Sequence, residues 1–150
     1  VDKVNVVTLA SPTPTWENVL DMMYGPESQN VRTDGTAAWL LSPASKMALR
    51  LLPKSATQAT NGYLYEADRD EIAGVRAIAT QQLGSGAHAD KLVYSPKWSD
   101  LCIFLAPSIG VTVNPFTLAA QGATLVVVDV LVGVATKHPC AFCVSSNAVA

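Results

Sequence analysis

His138, Cys140 and Cys143, within "VATKHPCAFCV" at 134–144, are the residues whose types and spacing are best suited to chemistry. A Cys-x-x-Cys pair can cycle between dithiol and disulfide when one thiolate is stabilised, typically at a strand-to-helix junction. With a histidine two residues upstream, the same atoms could supply part of a zinc site. Geometry opposes both uses. The flanking residues read as a strand, and in an extended chain Cys140 and Cys143 point to opposite faces with Cα atoms ~10 Å apart, beyond the ~7 Å limit for a disulfide. His138 and Cys140 share a face in that geometry, but Cys143 does not, and no second Cys-x-x-Cys completes a set of ligands. The preferred reading is that these cysteines are small apolar residues.

Other candidate constellations are weaker. "GSGAH" at 84–88 brings Ser85 near His88, without an orienting acid or a strained elbow. Cys102 and His88 would join a metal set only through an arrangement that nothing in the sequence requests. Glu66 to Glu71 gathers four acids and one arginine, but lacks the alternating donors and the sixth-position glycine of a calcium loop. There is no G-x-S-x-G, H-E-x-x-H, phosphate-binding G-x-x-x-x-G-K-[ST] or dinucleotide fingerprint. No catalytic residue, metal ligand or cofactor is assigned.

Composition points the same way. The chain has 150 residues, 49% hydrophobic and only 15% charged, with a net charge of −2. That length suits one domain with its own core, and so little charge favours extensive protein contacts. Arg50, Lys54, Arg69 and Arg76 are scattered, with no basic block to neutralise phosphates. Three cysteines suit a reducing compartment better than a disulfide framework. The longest apolar run, Ala123 to Ala135, is too short to span a bilayer and contains Asp129. Val1 stands where an initiator Met would, with no leader pattern after it, which reads as a fragment or a processed product.

These residues must be positioned by a mixed set of elements. Residues 4–10 are strand-prone. A helix is expected over 13–25, capped by Thr13 and ended by Gly25-Pro26, with Trp16, Val19, Leu20 and Met23 on its inner face. Ala37 to Leu41 reads as a strand feeding a helix that is capped by Ser42, has Pro43 at its first position and is stopped by Pro53. Met47, Ala48 and Leu51 are expected to face the core of that helix. An Asn61-Gly62 turn and a short "YLY" strand follow, and the rest is mainly β. In the run from Ala123 to Ala135, Val126, Val128, Val130, Val132 and Val134 alternate with Leu125, Val127, Asp129 and Leu131. A strand apolar on both sides is expected to be covered on both sides, by other layers or by a neighbouring subunit.

Five segments, in order, carry a resemblance. "AAWLLSPASKMALRLLPKS" resembles the strand, Ser/Asn-Pro turn and helix of the major capsid protein of tailed phages, the Hong Kong 97 fold. "IAGVRAIATQQL" is similar to that family's next segment, where a glycine (here Gly74) precedes a strand. "DVLVGVATKHPCAFCV" resembles its closing signature, carried here by Lys137, Pro139, Ala141 and Phe142. The helix before the Ser-Pro unit and the strand pair in "SDLCIFLAPSIGVTVNP" fall in matching order. The structural signature is thus Trp39, Ser42, Pro43, Gly74, Lys137, Pro139, Ala141 and Phe142.

The resemblance implies an α+β fold in which residues 1–150 form the C-terminal part of a capsid protein. That part would be an axial domain with a central β-sheet flanked by helices, plus a closing peripheral-domain strand near 124–146. Family members are longer and carry an N-terminal arm, an extended loop and a spine helix before this region. The implied function is that of a structural, non-enzymatic subunit of a phage or prophage shell. Its partners would be copies of itself in hexamers and pentamers, a scaffolding protein, and packaged DNA only weakly. The helices near 14–24 and 43–52 would present part of their surfaces to neighbours. The implied location is the virion, with the host bacterial cytoplasm during assembly. The Lys–Asn cross-link of some relatives is not carried over: no asparagine lies between Asn114 and Asn147, and Asp129 stands where a glutamate would be wanted. Two alternatives are an encapsulin-like compartment subunit and a thiol- or metal-dependent enzyme using His138, Cys140 and Cys143.

Overall fold

The computed structural model describes residues 3–9, 14–55, 62–83 and 91–146. Among these, the strands are β1 (Asn5–Val7), β2 (Ala38–Leu41), β3 (Tyr65–Glu66), β4 (Glu71–Ile72), β5 (Val75–Ala79), β6 (Val93–Ser95), β7 (Leu101–Leu105), β8 (Gly110–Asn114), β9 (Leu125–Asp129), β10 (Val132–Thr136) and β11 (Cys143–Ser145). The helices are α1 (Trp16–Ser28) and α2 (Pro43–Leu51). The chain divides into two units, one from Val1–Asp100 with His138–Ala150 and the other from Leu101–Lys137.

The first unit is built on a seven-stranded mixed sheet in the order β1-β11-β6-β2-β5-β4-β3. β1 runs parallel to β11, and β2 parallel to β5. β6 lies antiparallel between β11 and β2. α1 packs on β1, β6 and β11, and α2 packs on β3. The fully buried side chains include Trp39, Tyr65, Tyr94, Met22, Leu41, Leu49 and Ile72, which form one contiguous core. Trp39 anchors it: its indole N–H donates to the Ile72 carbonyl at 3.1 Å, and its ring lies 4.6 Å from that of Tyr94. Burial removes the Tyr94 phenol from water and pushes its pKa up, helped by the charge of Glu27.

Both helices form where capping chemistry allows, with corrections to the sequence reading. α1 is capped by Thr15, whose hydroxyl accepts from the Asn18 amide while the Asn18 side chain accepts from the Thr15 amide. This is a reciprocal box of the kind that satisfies orphan helix N–H groups. The expected cap, Thr13, lies outside the described residues. Gly25-Pro26 does not end the helix. Pro26 sits in the last turn, buried, and the helix continues past it without the bond its missing N–H would have given the Met22 carbonyl. Of the expected stripe, Val19 is buried and Trp16 and Met23 pack partly buried against the core, while Leu20 is exposed and Met22 is buried in its stead.

α2 begins as expected, with the Ser42 hydroxyl accepting from the Ser45 amide at 3.1 Å and Pro43 in the first turn. Its buried face is Ser45 and Leu49, and Met47 and Leu51 are 68% and 70% exposed. Ser45 can be buried because its hydroxyl pairs with that of the capping Ser42. Between β4 and β5, Ala73 and Gly74 have φ of 52° and 75°. Positive φ at both central positions is the two-residue hairpin turn that matches strand twist, and it explains why glycine stands at 74.

In the second unit β7 pairs antiparallel with β10, and β8 with β9. The run from Ala123 to Ala135 is therefore not one strand, because it breaks at Val130–Leu131 into β9 and β10. Within the chain no described layer covers it: every residue of both strands is exposed, which leaves a neighbouring subunit as the expected cover. The expected strand near 124–146 also changes course at Pro139, where 139–141 forms a 3₁₀ turn before β11 enters the sheet of the first unit. Proline has no N–H to give a ladder, so an extended path through it is disfavoured.

Candidate functional site

The closing turn, 138–142, is held by residues far away in sequence. The Asn5 side-chain amide donates to the Cys140 carbonyl at 2.8 Å, and the Asn5 main-chain amide to the Phe142 carbonyl at 3.0 Å. The Ser95 hydroxyl donates to the Ala141 carbonyl at 3.0 Å. Phe142 packs edge-on against Trp98, with ring centroids 5.5 Å apart, and Trp98 donates its indole N–H to the Ala38 carbonyl at 2.9 Å. Ala141 is fully buried, which leaves no room for a larger side chain.

The turn therefore fastens β1, β2, β6 and β11 into one sheet. Sequence reasoning identified Pro139, Ala141 and Phe142 but missed Asn5, Ser95 and Trp98. No local signal marks the first two, and the third was legible only as an aromatic in a polar loop. Trp39 lies in the core, Ser42 and Pro43 start α2, and Gly74 shapes the hairpin, so the eight signature residues do not converge on one site. Lys137 is exposed at the end of the second unit.

The geometry separates the three residues suspected of chemistry. His138 and Cys140 line an open cleft of about 620 Å³ with Arg32, Asp34, Lys97 and Asp100. Asp34 accepts from the Thr36 and Ser99 hydroxyls, and the Thr36 hydroxyl holds its carboxyl below the usual carboxylate range. Asp100 pairs with Lys97 at 3.2 Å. Cys143 is elsewhere: it is fully buried in β11, and burial pushes its thiol up to about 12. Such a thiol stays protonated and is a poor nucleophile at neutral pH. Among the described residues no three His, Cys, Asp or Glu side chains gather as metal ligands. His88 and Ser85 lie outside the described residues.

Two of the acids of 66–71, Glu66 and Asp70, are tied to α2 and the residues just after it. Tyr65 donates to Asp70 at 2.6 Å, Lys46 reaches the same carboxylate at 3.0 Å, and Lys54 reaches Glu66 at 2.7 Å. The Tyr65 hydroxyl, with Lys46, holds the Asp70 carboxyl below its ordinary value. Lys46 and Arg50 also lie over the Tyr65 ring, 5.0 and 5.2 Å from its centroid. These contacts make the loop a clamp on α2.

The largest uncommitted surface belongs to the second unit. Strand register places Val111 opposite Val128 and Val113 opposite Val126, so these four share one face of the β8/β9 ribbon. Their exposures run from 55% to 61%. On β7/β10, Ile103, Leu105, Val132 and Val134 share a face in the same way, each at least 57% exposed. Asp129 stands at the exposed end of β9, opposite Gly110.

Comparison with known proteins gives a consistent result. A family model described as the phage capsid family matches residues 2–146. Among solved structures, the capsid of an empty GTA particle matches with a TM-score of 0.69 at 15% identity, over 97% of this chain and 49% of that one. A Gordonia phage Cozz structure matches with a TM-score of 0.63 at 16% identity, over 95% of this chain and 49% of that one. A virus-like particle from Pyrococcus furiosus matches with a TM-score of 0.60 at 14% identity, over 97% and 57%. The chain thus spans about half the length of the GTA and Gordonia phage chains. No curated protein matches.

Proposed function

The chain belongs to the phage capsid family, and from that premise we propose that it is a structural subunit of a Hong Kong 97-type icosahedral shell, of a phage or prophage, that encloses DNA. The observation that carries the reading is the second unit. Its strands are apolar on exposed faces and bury no described residue, a surface that a solitary soluble domain rarely keeps. Its role is to be covered by more protein.

In this reading residues 1–150 are the C-terminal part of a capsid protein, mostly axial domain, with 124–146 contributing to the peripheral domain. The partners are copies of the same subunit, in hexamers and pentamers, with a scaffolding protein during assembly. Contact with packaged DNA is weak, because the cations are dispersed and Lys46, Lys54 and Lys97 are already paired with acids. The protein resides in the virion, and in the host cytoplasm while shells form. Trp39, Ser42, Pro43, Gly74, Pro139, Ala141 and Phe142 serve the fold that presents these surfaces, and Lys137 marks the exit from the second unit. The family match favours a phage shell over an encapsulin-like compartment, and the burial of Cys143 speaks against a His138/Cys140/Cys143 enzyme.

Electron microscopy of the complete gene product, expressed alone and with its neighbouring genes, tests the reading. Closed shells or rings are expected. Their absence under all conditions in which the protein is folded would refute it.

A further inference from the structure

We propose that the outer face of α1 is a docking surface for a basic helical segment of a different protein, one that binds and leaves. Glu17, Asp21 and Glu27 supply its charge, and Leu20 and Tyr24 its apolar contacts. The inference stands on α1 alone and does not need the shell reading.

The first argument is the make-up of the face. Residues 17, 20, 21, 24 and 27 fall at helical spacing on one side of α1. The buried Val19, Met22 and Pro26 lie on the opposite side, where α1 packs on the sheet. All five outer residues are exposed, Tyr24 at 67% and Leu20 at 44%. From Val4 to Val31 the chain has these three acids and not one lysine, arginine or histidine. Among the described residues, none of the three carboxylates belongs to an ion pair.

The second argument is stability given up. Glu17 and Asp21 are four residues apart, a like-charged pair that repels along the helix. Glu27 lies in the last turn, beside the negative end of the helix dipole, with no base there to offset it. A face that served only solubility would alternate acids with bases at this spacing and strengthen the helix. One sign throughout weakens the helix but creates a negative potential that attracts and orients a positive partner.

The third argument selects the occupant. A permanent cover, from the same polypeptide or from a neighbour in a finished shell, would take three carboxylates out of water. That cost is recovered only where each is paired in excellent geometry. Permanent interfaces are accordingly more apolar, whereas contacts that form and part keep charge around a few apolar anchors. α1 has the second pattern. A second copy also lacks the complement. Its α2 carries Lys46 and Arg50 four residues apart, but both lie over the Tyr65 ring and Lys46 is paired with Asp70. The chemistry that fits is a helix with lysines or arginines at three- and four-residue spacing around one or two leucine-sized side chains.

The experiment titrates the chain with a fluorescent peptide of about 18 residues, long enough to be helical, with lysines and leucines on one face. A scrambled peptide of the same composition is the control. The patterned peptide is expected to bind with a Kd of about 1–100 µM in low salt and the scrambled one at least about tenfold more weakly. Raising salt from about 50 to about 300 mM should weaken the patterned peptide several-fold. Glu17→Gln/Asp21→Asn/Glu27→Gln and, separately, Leu20→Ser/Tyr24→Ser should each raise Kd at least about tenfold. Asp68→Asn/Asp129→Asn, which removes two exposed charges outside α1, should leave it unchanged. All substituted side chains are exposed, and circular dichroism verifies that each variant keeps its helices. A patterned peptide that fails to bind below about 1 mM overturns the proposal. So does equal binding by the scrambled peptide, or a loss in the Asp68/Asp129 variant as large as in the α1 variants. Nitration of Tyr24 in the complete gene product, as monomer and in any shell it forms, tests the occupant. A reactive Tyr24 that the patterned peptide protects supports a separate partner. A Tyr24 already protected without the peptide assigns the face to the same polypeptide or to a copy, and overturns it.

Discussion

The two units of this protein use the same residue types in opposite ways. In the first, Trp39, Tyr94, Leu41 and Ile72 are closed off from water behind two helices and a seven-stranded sheet. In the second, valines and leucines at similar density face outward on two-stranded ribbons. Hydrophobicity along the chain does not distinguish them. What distinguishes them is whether the chain also provides the covering layer. For the first it provides α1 and α2, each started by a side-chain cap. The ribbons have no α-helix among the described residues of 101–137. A core stabilises its own fold, whereas an uncovered face stores the same free energy until a partner arrives.

The sharpest test of that contrast compares truncations. Trp39→Ala removes a fully buried ring and leaves the Ile72 carbonyl without its donor, so a loss of about 3–5 kcal/mol is expected. Val128→Ala, at a position 59% exposed, should stay within about 0.5 kcal/mol in the dissociated chain. Urea unfolding monitored by tryptophan fluorescence measures both, and comparable losses would break the distinction.

Ser42→Ala comes next. It deletes the α2 cap, which should cost about 1 kcal/mol, seen as a lower thermal midpoint. An unchanged midpoint would mean that α2 is held wholly by its contacts with β3.

The smallest effect is alkaline. Burial raises the Cys143 thiol from 9.0 to about 12, so in the folded state it keeps its proton where the unfolded chain loses it. The stability it contributes is complete below pH 9 and falls as pH rises toward 12. Urea titrations at several pH values should show a decline above pH 9 that is shallower in Cys143→Ala. Identical slopes would place the thiol in contact with water.

Much of the first unit is legible in the sequence because its signals are local. Ser42-Pro43 marks a helix start, and Gly74 marks a turn that needs positive φ. The errors arise where a choice depends on distant residues. On α2, Met47/Leu51 and Ser45/Leu49 are equally spaced pairs, and the hydrogen bond to Ser42 is among the contacts that let the polar serine be the buried one. On α1, Pro26 reads as a stop, yet the helix runs past it to Ser28 with the proline ring buried. The break at Val130–Leu131 has no glycine or proline to announce it. Pro139 announces the closing turn, although the apolar residues on both sides of it read as strand. The residues that fasten that turn, Asn5 and Ser95, were not legible, since their partners are backbone carbonyls that exist only once the sheet has formed.

The position of β11 between β1 and β6 has a consequence in time. Residues 5–7 and 143–145 are neighbours in the sheet but are made far apart in time. At about 5–20 residues per second, a ribosome takes several seconds to pass from one to the other. Throughout that interval β1 waits with an open edge, and β6 does so from its own synthesis onward, while the apolar stretch at 123–135 emerges before the strand that closes the sheet. A chaperone that holds the nascent chain over those seconds would therefore raise the yield of folded subunits without altering their final stability.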